Sequence, residues 1–264
     1  MIPAVLSIAG SDSSGGAGIQ ADIKTIASHK LYAETVITAL TAQNTLGVQG
    51  VLPVEAAFIG AQMDSVFADI RPDAVKIGMV PTPEAAEAIA VGLEKAQAAH
   101  VVLDPVMVAT SGATLADSPA VEAIVAHLLP LAEIVTPNIP EAEVLAGVSI
   151  ATREDREAAA RAIQDKMQAG KWVLIKGGHA ADTADDLLLT EHGRCVWLHH
   201  KLIDTPNTHG TGCTLSSAIA CGLASGFDVQ ASVSKAKQYV TGALECDPGM
   251  GRGCGPLDHM WEYR

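Results

Sequence analysis

The chain has 264 residues, 48% of them hydrophobic and 18% charged, with a formal charge of −13 at pH 7. That is ample apolar material for a full core. The acidity sets long-range electrostatics against nucleic acid and anionic membranes, so an anionic substrate must be met by local positive groups: a few lysines, helix starts or a metal. The five cysteines (Cys195, Cys213, Cys221, Cys246 and Cys254) are odd in number and lack C-x-x-C spacing, which reads as reduced thiols in a cytoplasmic protein. The opening Met1-Ile2-Pro3-Ala4 leads straight into a strand-like run, without the basic flank and cleavage region of a signal peptide. Two stretches without Asp, Glu, Lys or Arg, 35–54 and 205–227, hold too much Gly, Asn, Gln, Thr and Pro to be membrane spans. No repeat, linker or low-complexity tract divides the chain, so it reads as one domain over 1–264.

Short apolar runs at 4–9, 35–40, 74–77, 101–103, 134–135 and 172–175 suit strands buried on both faces. Between them the pattern predicts helices at 54–70, 83–98, 119–129 and 152–168. In the third, Ser118 can cap and Pro119 suits the first helical position. In the fourth, Thr152 can cap with Asp155 three residues on, Gly170 follows the end, and Ala160, Ile163 and Met167 share one face. After Lys176, runs at 186–190 and 194–199 flank Glu191-His192-Gly193 as a hairpin. A helix at about 213–225, a last helix at 229–245 and an irregular Gly-rich tail at 249–256 complete the chain. The fold class is α/β: a mostly parallel sheet with right-handed crossovers and helices on both sides.

Ligands of open α/β sheets bind beyond the carboxyl ends of the strands. Nearly every run here ends in unusual chemistry: Gly10-Ser11-Asp12-Ser13-Ser14-Gly15-Gly16-Ala17-Gly18, Thr41-Ala42-Gln43-Asn44-Thr45, Lys76-Ile77-Gly78-Met79, Asp104-Pro105-Val106-Met107, Thr136-Pro137-Asn138-Ile139-Pro140-Glu141 and Lys176-Gly177-Gly178-His179. The segment Asn207-Thr208-His209-Gly210-Thr211-Gly212-Cys213-Thr214 turns through small residues into a helix. Its unpaired N–H groups would attract phosphate, and the helix start would favour an ionised Cys213. An anion cradle with a titratable group inside it suggests phosphoryl transfer. Plainer readings stand beside these. Asp104-Pro105 suits a simple turn, and Asn138 and Glu141 suit a helix start. Lys176 suits a solvated strand end, and Gln43 an ordinary loop amide. His209, four residues before Cys213, invites a Cys–His nucleophile, but no further partner is identifiable, which favours a structural histidine.

With these motifs together, the chain resembles the bacterial hydroxymethylpyrimidine/hydroxymethylpyrimidine-phosphate kinases of thiamine biosynthesis, in the ribokinase-like superfamily. The likeness runs from Ile8–Asp22 through the motifs above to the 251–256 tail, almost the whole chain. It implies a ribokinase-like three-layer α/β/α sandwich with a central mostly parallel sheet, a homodimer, ATP and Mg²⁺. It also implies a pyrimidine pocket lined by Gly10, Asp22, Gln43, Met79 and Val106, with Gln43 offering donor and acceptor to the ring edge and Met79 an apolar face. Asn138, Lys176, Thr208 and Thr211 become nucleotide or phosphate contacts, and Asp104 and Glu141 become Mg²⁺ ligands, through water. Cys213 becomes the base on the substrate hydroxymethyl, with Lys176 and the amides of Gly210, Thr211, Gly212 and Cys213 neutralising the transferred group. Residues 108–116, with Ser111-Gly112, become a mobile lid. A pyridoxal/pyridoxine-type kinase is the nearest alternative. A catalytically silent metabolite-binding protein on the same scaffold and a thiol hydrolase stand further off.

Overall fold

The computed structural model describes residues 2–108, 115–178, 185–199, 202–246 and 248–264. Residues 109–114 of the lid expected at 108–116, and the motif residue His179, lie outside the described residues. Strands form at the predicted apolar runs and hairpin, with one more at 47–53: β1 (Ala4–Asp12), β2 (Tyr32–Asn44), β3 (Gly47–Pro53), β4 (Ala74–Ile77), β5 (Val101–Leu103), β6 (Ile134–Val135), β7 (Trp172–Ile175), β8 (Asp186–Leu189) and β9 (Cys195–Leu198). They make one sheet in the order β3-β2-β1-β4-β5-β6-β7-β8-β9. Pairing is parallel from β2 to β7, and antiparallel where β3, β8 and β9 extend the two ends.

The central strands are apolar without interruption because both faces are covered. Alternate residues point to opposite sides. Leu6, Ile8, Val75, Ile77 and Leu103 pack with α2 (Ala56–Ala68), α3 (Pro83–Ala96), α5 (Ile139–Ala146) and α6 (Arg153–Gln164). Val5, Ala74, Val102 and Leu174 pack with α1 (Gly18–Ser28), α7 (Thr211–Ala224) and α8 (Val229–Glu245). The result is the three-layer sandwich. No helix among the described residues is long and apolar enough to cross a membrane.

Several boundaries differ from the sequence expectations. β1 runs on through Gly10-Ser11-Asp12, and β2 through Thr41–Asn44, because those ends pair with each other and with β3. α1 was hidden because its buried face mixes Asp22, Thr25 and Ser28 with Ile19 and Ile26. β3 was hidden because it is exposed along its length and shows no alternation. The helix α4 (Ser118–Ala123) is capped by Asp117, not Ser118: Asp117 Oδ1 accepts from the Ala120 amide at 3.0 Å. It passes into a π turn over Ile124–Leu128 and a 3-10 turn over Leu129–Leu131, so the expected single helix at 119–129 changes its winding before Pro130, which has no amide hydrogen to donate. α6 starts with the expected Thr152–Asp155 capping box but ends at Gln164. The 186–199 hairpin and α8 form as expected. α7 starts at Thr211, two residues early, so Gly212 and Cys213 lie in its first turn.

One buried ion pair fastens a helical layer to the sheet. Lys76 on β4 is fully buried, and its Nζ donates to Asp22 Oδ1 and Oδ2 on α1 at 3.0 and 2.9 Å. Ser7 on β1 and Ser217 on α7 donate to the same carboxylate at 2.6 and 2.8 Å. Burial is the largest single influence and would lower the Lys76 pKa, but the charges of Asp22, Cys213 and Asp104 and the hydrogen bond to Asp22 together outweigh it and hold the ammonium well above the ordinary lysine range.

Two stability predictions follow from this packing. Lys76→Met leaves Asp22 buried and uncompensated, so it should cost about 3–5 kcal/mol in urea unfolding, and a Lys76→Met/Asp22→Leu double variant should recover much of that. A single-variant cost under about 1 kcal/mol would mean the pair is not buried in solution. The second concerns Glu34 on β2, whose Oε2 is buried with no hydrogen-bond partner among the described residues. Burial, with the nearby Asp69 and Asp73, pushes its pKa up to about 7. The folded state then binds this proton more tightly than the unfolded chain, so stability falls as pH rises through about 7. Glu34→Gln should raise Tm by about 1–3 °C at pH 8, a gain kept small by solvent screening, and by nothing measurable at pH 4. Calorimetry at both pH values checks this; an equal gain at both would remove the titration from the explanation.

Candidate active site

The carboxyl ends of the parallel strands deliver the expected polar residues to one rim, and the entry to α7 lies across it. At one end, Asp104 follows β5, Lys176 follows β7 and Glu141 sits in the first turn of α5. Asp104, 2% exposed, takes the Lys176 ammonium at 2.8 Å and the Thr136 hydroxyl at 3.2 Å. Glu141 Oε2 lies 3.9 Å from Lys176 Nζ. Asn138 and Glu141 form a reciprocal capping box at 2.9 and 2.8 Å, so the plain helix-start reading of these two is correct as geometry. Burial pushes the Glu141 carboxyl up, Lys176 pulls it down, and Asp104 adds to the rise. Lys176 is held charged by Asp104 and Glu141 against its own burial.

Two buried carboxylates thus share one ammonium. This donor set fits a hard divalent cation, with waters or phosphate oxygens completing its shell. Among the described residues no group of three or more His, Cys, Asp or Glu forms a fully protein-made metal cage.

α7 brings its first turn against this cluster. A methyl group placed on Gly212 would lie 3.3 Å from Lys176 Nζ and 3.4 Å from Asp104 Oδ2, so only glycine leaves room for a ligand there. The N-cap Gly210 has φ +85°, and a side chain on it would run into the Gly16 carbonyl. No side chain caps α7, which leaves its start available to an anion. One expectation needs correcting here. The Thr211 amide and hydroxyl both donate to the Thr208 carbonyl, at 3.2 and 2.8 Å, so that N–H is already taken. Thr208 itself is exposed, with its hydroxyl 3.1 Å from Cys254 Sγ.

Cys213 departs from the expected ionised thiol. Burial pushes it up to about 11; Lys76 pulls it down, but Asp22 and Asp104 push it further up, and the Gly18 amide supplies only a partial offset. The helix start does not win because the thiol sits above two carboxylates in a desolvated floor. At neutral pH Cys213 is therefore a neutral thiol.

The other end of the rim holds the remaining expected residues. Gly10 approaches Met79 so closely that a methyl group on it would meet Met79 Sδ at 2.8 Å. Val106 follows Asp104 and is half-buried. Gln43 lies at a register shift in the β2–β3 ladder, which re-aims its side chain. Its Nε2 is 3.2 Å from His209 Nε2, beside a hollow of about 260 Å³ that Gln43, Thr45, His209 and Cys254 help to line. His209 is 2.8 Å from Asp12 Oδ2, so it is a satisfied histidine rather than half of a Cys–His couple. Asp22, expected in the pocket lining, is instead wholly beneath the surface, where it is held by Lys76, Ser7 and Ser217 and acts on Cys213 by its charge. Lys76 and Asp12 stood in the strand-end motifs of the sequence but were given no role there. A lysine inside the apolar run Ala74-Val75-Lys76-Ile77 is the signal that could have found the first, since a charge in a doubly covered strand needs a buried partner.

Comparison with known proteins agrees with this geometry. The phosphomethylpyrimidine kinase family profile matches residues 12–258. A hydroxymethylpyrimidine/phosphomethylpyrimidine kinase of Streptomyces coelicolor is 48% identical over 98% of this chain and 95% of its own length. The thiamine biosynthesis bifunctional protein ThiED of Geobacter sulfurreducens is 46% identical over 97% of this chain, which spans only 52% of that longer protein. Among solved structures, an ADP complex of Bacillus subtilis pyridoxal kinase superposes with a TM-score of 0.89 at 35% identity, covering 100% of this chain and 99% of that one. By profile, identity and coverage together, the chain belongs to the phosphomethylpyrimidine kinase family.

Proposed function

We propose that this chain acts as a single kinase domain over 1–264 that uses ATP to phosphorylate 4-amino-5-hydroxymethyl-2-methylpyrimidine, and then phosphorylates the monophosphate to the diphosphate, in thiamine diphosphate biosynthesis. The observation that carries this is the α7 entry: Gly212 faces the Lys176–Asp104 cluster while His209, three residues earlier, faces Gln43. One segment therefore links a phosphate end to a ring-binding end. Family membership and the printed activities of the relatives support the substrate.

In this reading Gly10, Gln43, Met79 and Val106 hold the aminopyrimidine, with Asp22 acting from beneath. Asn138, Lys176, Thr208 and Thr211 contact the nucleotide. Asp104 and Glu141 would hold Mg²⁺, which would supply positive charge to offset that of the phosphates. Lys176 and the Gly212 and Cys213 amides stabilise charge on the transferred group. The minor thiolate form of Cys213, favoured by Lys76, receives the hydroxymethyl proton in the first reaction and becomes the neutral thiol. The thiol is neutral at rest, so this help is modest, which suits phosphoryl transfer, where alignment and charge count for more than proton removal. The second acceptor is a phosphate monoester, largely ionised at neutral pH because its second pKa is about 6. It needs no base, and a neutral thiol does not repel it. The five free cysteines fit a reducing, cytoplasmic setting. The pyridoxal kinase that shares the fold makes a pyridoxal-type activity the second reading, tested by offering pyridoxal in the same assay.

The exposed pair Leu40 and Leu52, 47% and 64% exposed, lie directly opposite each other in the β2–β3 ladder. An apolar patch next to an edge strand supports a homodimer through this surface. A Leu40→Lys/Leu52→Lys variant should sediment as a monomer where the parent sediments as a dimer; an unchanged dimer would place the interface elsewhere.

Phosphate-31 NMR of the protein with Mg-ATP and hydroxymethylpyrimidine should show monophosphate followed by diphosphate, and the absence of both would reject the assignment. In single-turnover assays Cys213→Ala should slow hydroxyl phosphorylation about 10²-fold, the lower end of base catalysis, and monophosphate phosphorylation far less. Equal losses would leave Cys213 a structural role only.

A further inference from the structure

The main chain of Gln43 is fixed from both sides by Ser13, whose Oγ donates to the Gln43 carbonyl at 2.8 Å and accepts from its amide at 2.9 Å. What remains free is the turn of the side-chain carboxamide. Its two polar atoms lie 3.2 Å from His209 Nε2 and 3.3 Å from Thr41 Oγ1. The hydrogen bonds around these two neighbours decide which atom faces which.

His209 Nε2 is 2.8 Å from Asp12 Oδ2, which also accepts the Gly16 and Ala17 amides at 3.1 and 2.8 Å. Burial would raise the Asp12 pKa, but His209 and the hydrogen bonds from Ser14 and Ala17 hold it down at about 2. Asp12 is thus an anion and only an acceptor. Nε2 must therefore carry a hydrogen, whether His209 is the Nε2–H tautomer or the cation. It then has no lone pair for an N–H of Gln43. At the other end, Thr41 Oγ1 donates its one hydrogen to the Ser11 carbonyl at 2.9 Å, so towards Gln43 it can only accept. One arrangement avoids both conflicts: Gln43 turns its NH₂ to Thr41, which accepts, and its oxygen to His209, where it shares the single Nε2 hydrogen directed at Asp12.

We propose that the Asp12–His209 pair locks the Gln43 carboxamide in this orientation, making His209 a positioning residue that sets which ring the site accepts. The locked amide keeps one unused lone pair on the His209 side and one unused N–H on the Thr41 side. That ordered edge matches a ring nitrogen next to an exocyclic amine, as in an aminopyrimidine, and it accepts that edge one way round. The hydroxymethyl group is thereby directed to a fixed place. A pyridine ring whose hydroxyl is not adjacent to its nitrogen can satisfy only one half of the edge. A carboxamide free to turn would present either order, so the aminopyrimidine would also bind the wrong way round and its advantage in productive binding would shrink.

This inference rests on the pyrimidine reading above, and two kinds of measurement separate them. The kinetic one compares kcat/KM for hydroxymethylpyrimidine and pyridoxal in the parent, His209→Leu and His209→Gln, with folding checked by circular dichroism. His209→Leu should lower the preference for the pyrimidine about 10–100-fold, chiefly through its KM, with the KM for ATP unchanged. His209→Gln, whose amide can place an N–H near the same point, should keep most of the preference. An unchanged preference in His209→Leu, or equal loss in both variants, would overturn the lock. The second measurement needs no variant and no turnover: long-range ¹H–¹⁵N NMR of the parent at pH 8 should show His209 protonated at Nε2. A signal from the Nδ1–H tautomer would overturn the lock even if the enzyme phosphorylates the pyrimidine. A parent that ignores the pyrimidine but shows Nε2–H would instead reject the substrate assignment and leave the orientation of Gln43 standing.

Discussion

The Lys76–Asp22 pair is the constraint on which the rest of the site depends. An ammonium in the middle of a sheet covered on both faces is costly unless its partner is equally buried and fully hydrogen-bonded. Asp22 meets that condition by taking donors from β1, β4 and α7 at once. The pair therefore fixes where α1 and α7 sit relative to the carboxyl ends of β1 and β4. Because α7 carries Cys213 and Gly212 in its first turn, the same contact sets the depth at which thiol and amides meet a ligand. A hydrophobic pair could pack as well, but it would not make four elements converge on one carboxylate.

The electrostatics of the rim follow from that arrangement. A chain with a formal charge of −13 handles anions at a place where Asp104, Glu141, Asp22 and Asp12 crowd together. Each carboxylate is answered separately. Asp22 is matched by Lys76, Asp12 by His209 and three amides, and Asp104 with Glu141 by the single Lys176. Only the last group is short of positive charge. The imbalance is therefore local, and it lies against the uncapped start of α7, the one spot where a cation with phosphate oxygens would be stabilised from both sides.

Much of this was legible in the sequence, and the exceptions share a cause. The parallel strands, the 186–199 hairpin, the Thr152 capping box and α8 follow from local patterns: apolar runs, turn residues and caps. Asp104, Glu141, Lys176 and Gly212 came together because ligand chemistry in this fold gathers at strand ends. What stayed hidden depends on long-range partners. α1 hides because Asp22, Thr25 and Ser28 occupy its buried face, which only makes sense once Lys76 is opposite. The neutral state of Cys213 could not be read from a helix start alone, since Asp22 and Asp104 come from distant segments. The role of His209 needed Asp12, 197 residues away in sequence.

The choice of cysteine at position 213 is then a consequence of its surroundings. An aspartate there would add a further anion to a floor that already holds Asp22 and Asp104, where both lysines are already paired. It would either bind a proton itself or repel the dianionic acceptor of a second phosphorylation. A thiol avoids both. Burial and its two acidic neighbours keep it uncharged, while Lys76 favours the minor thiolate form that can take up a proton. A site that must accept first a neutral alcohol and then a phosphate needs a group whose resting charge is zero and whose ionised form is still supported from below. Position 213 combines the two because the buried lysine and the carboxylates act on the same sulfur from different strands.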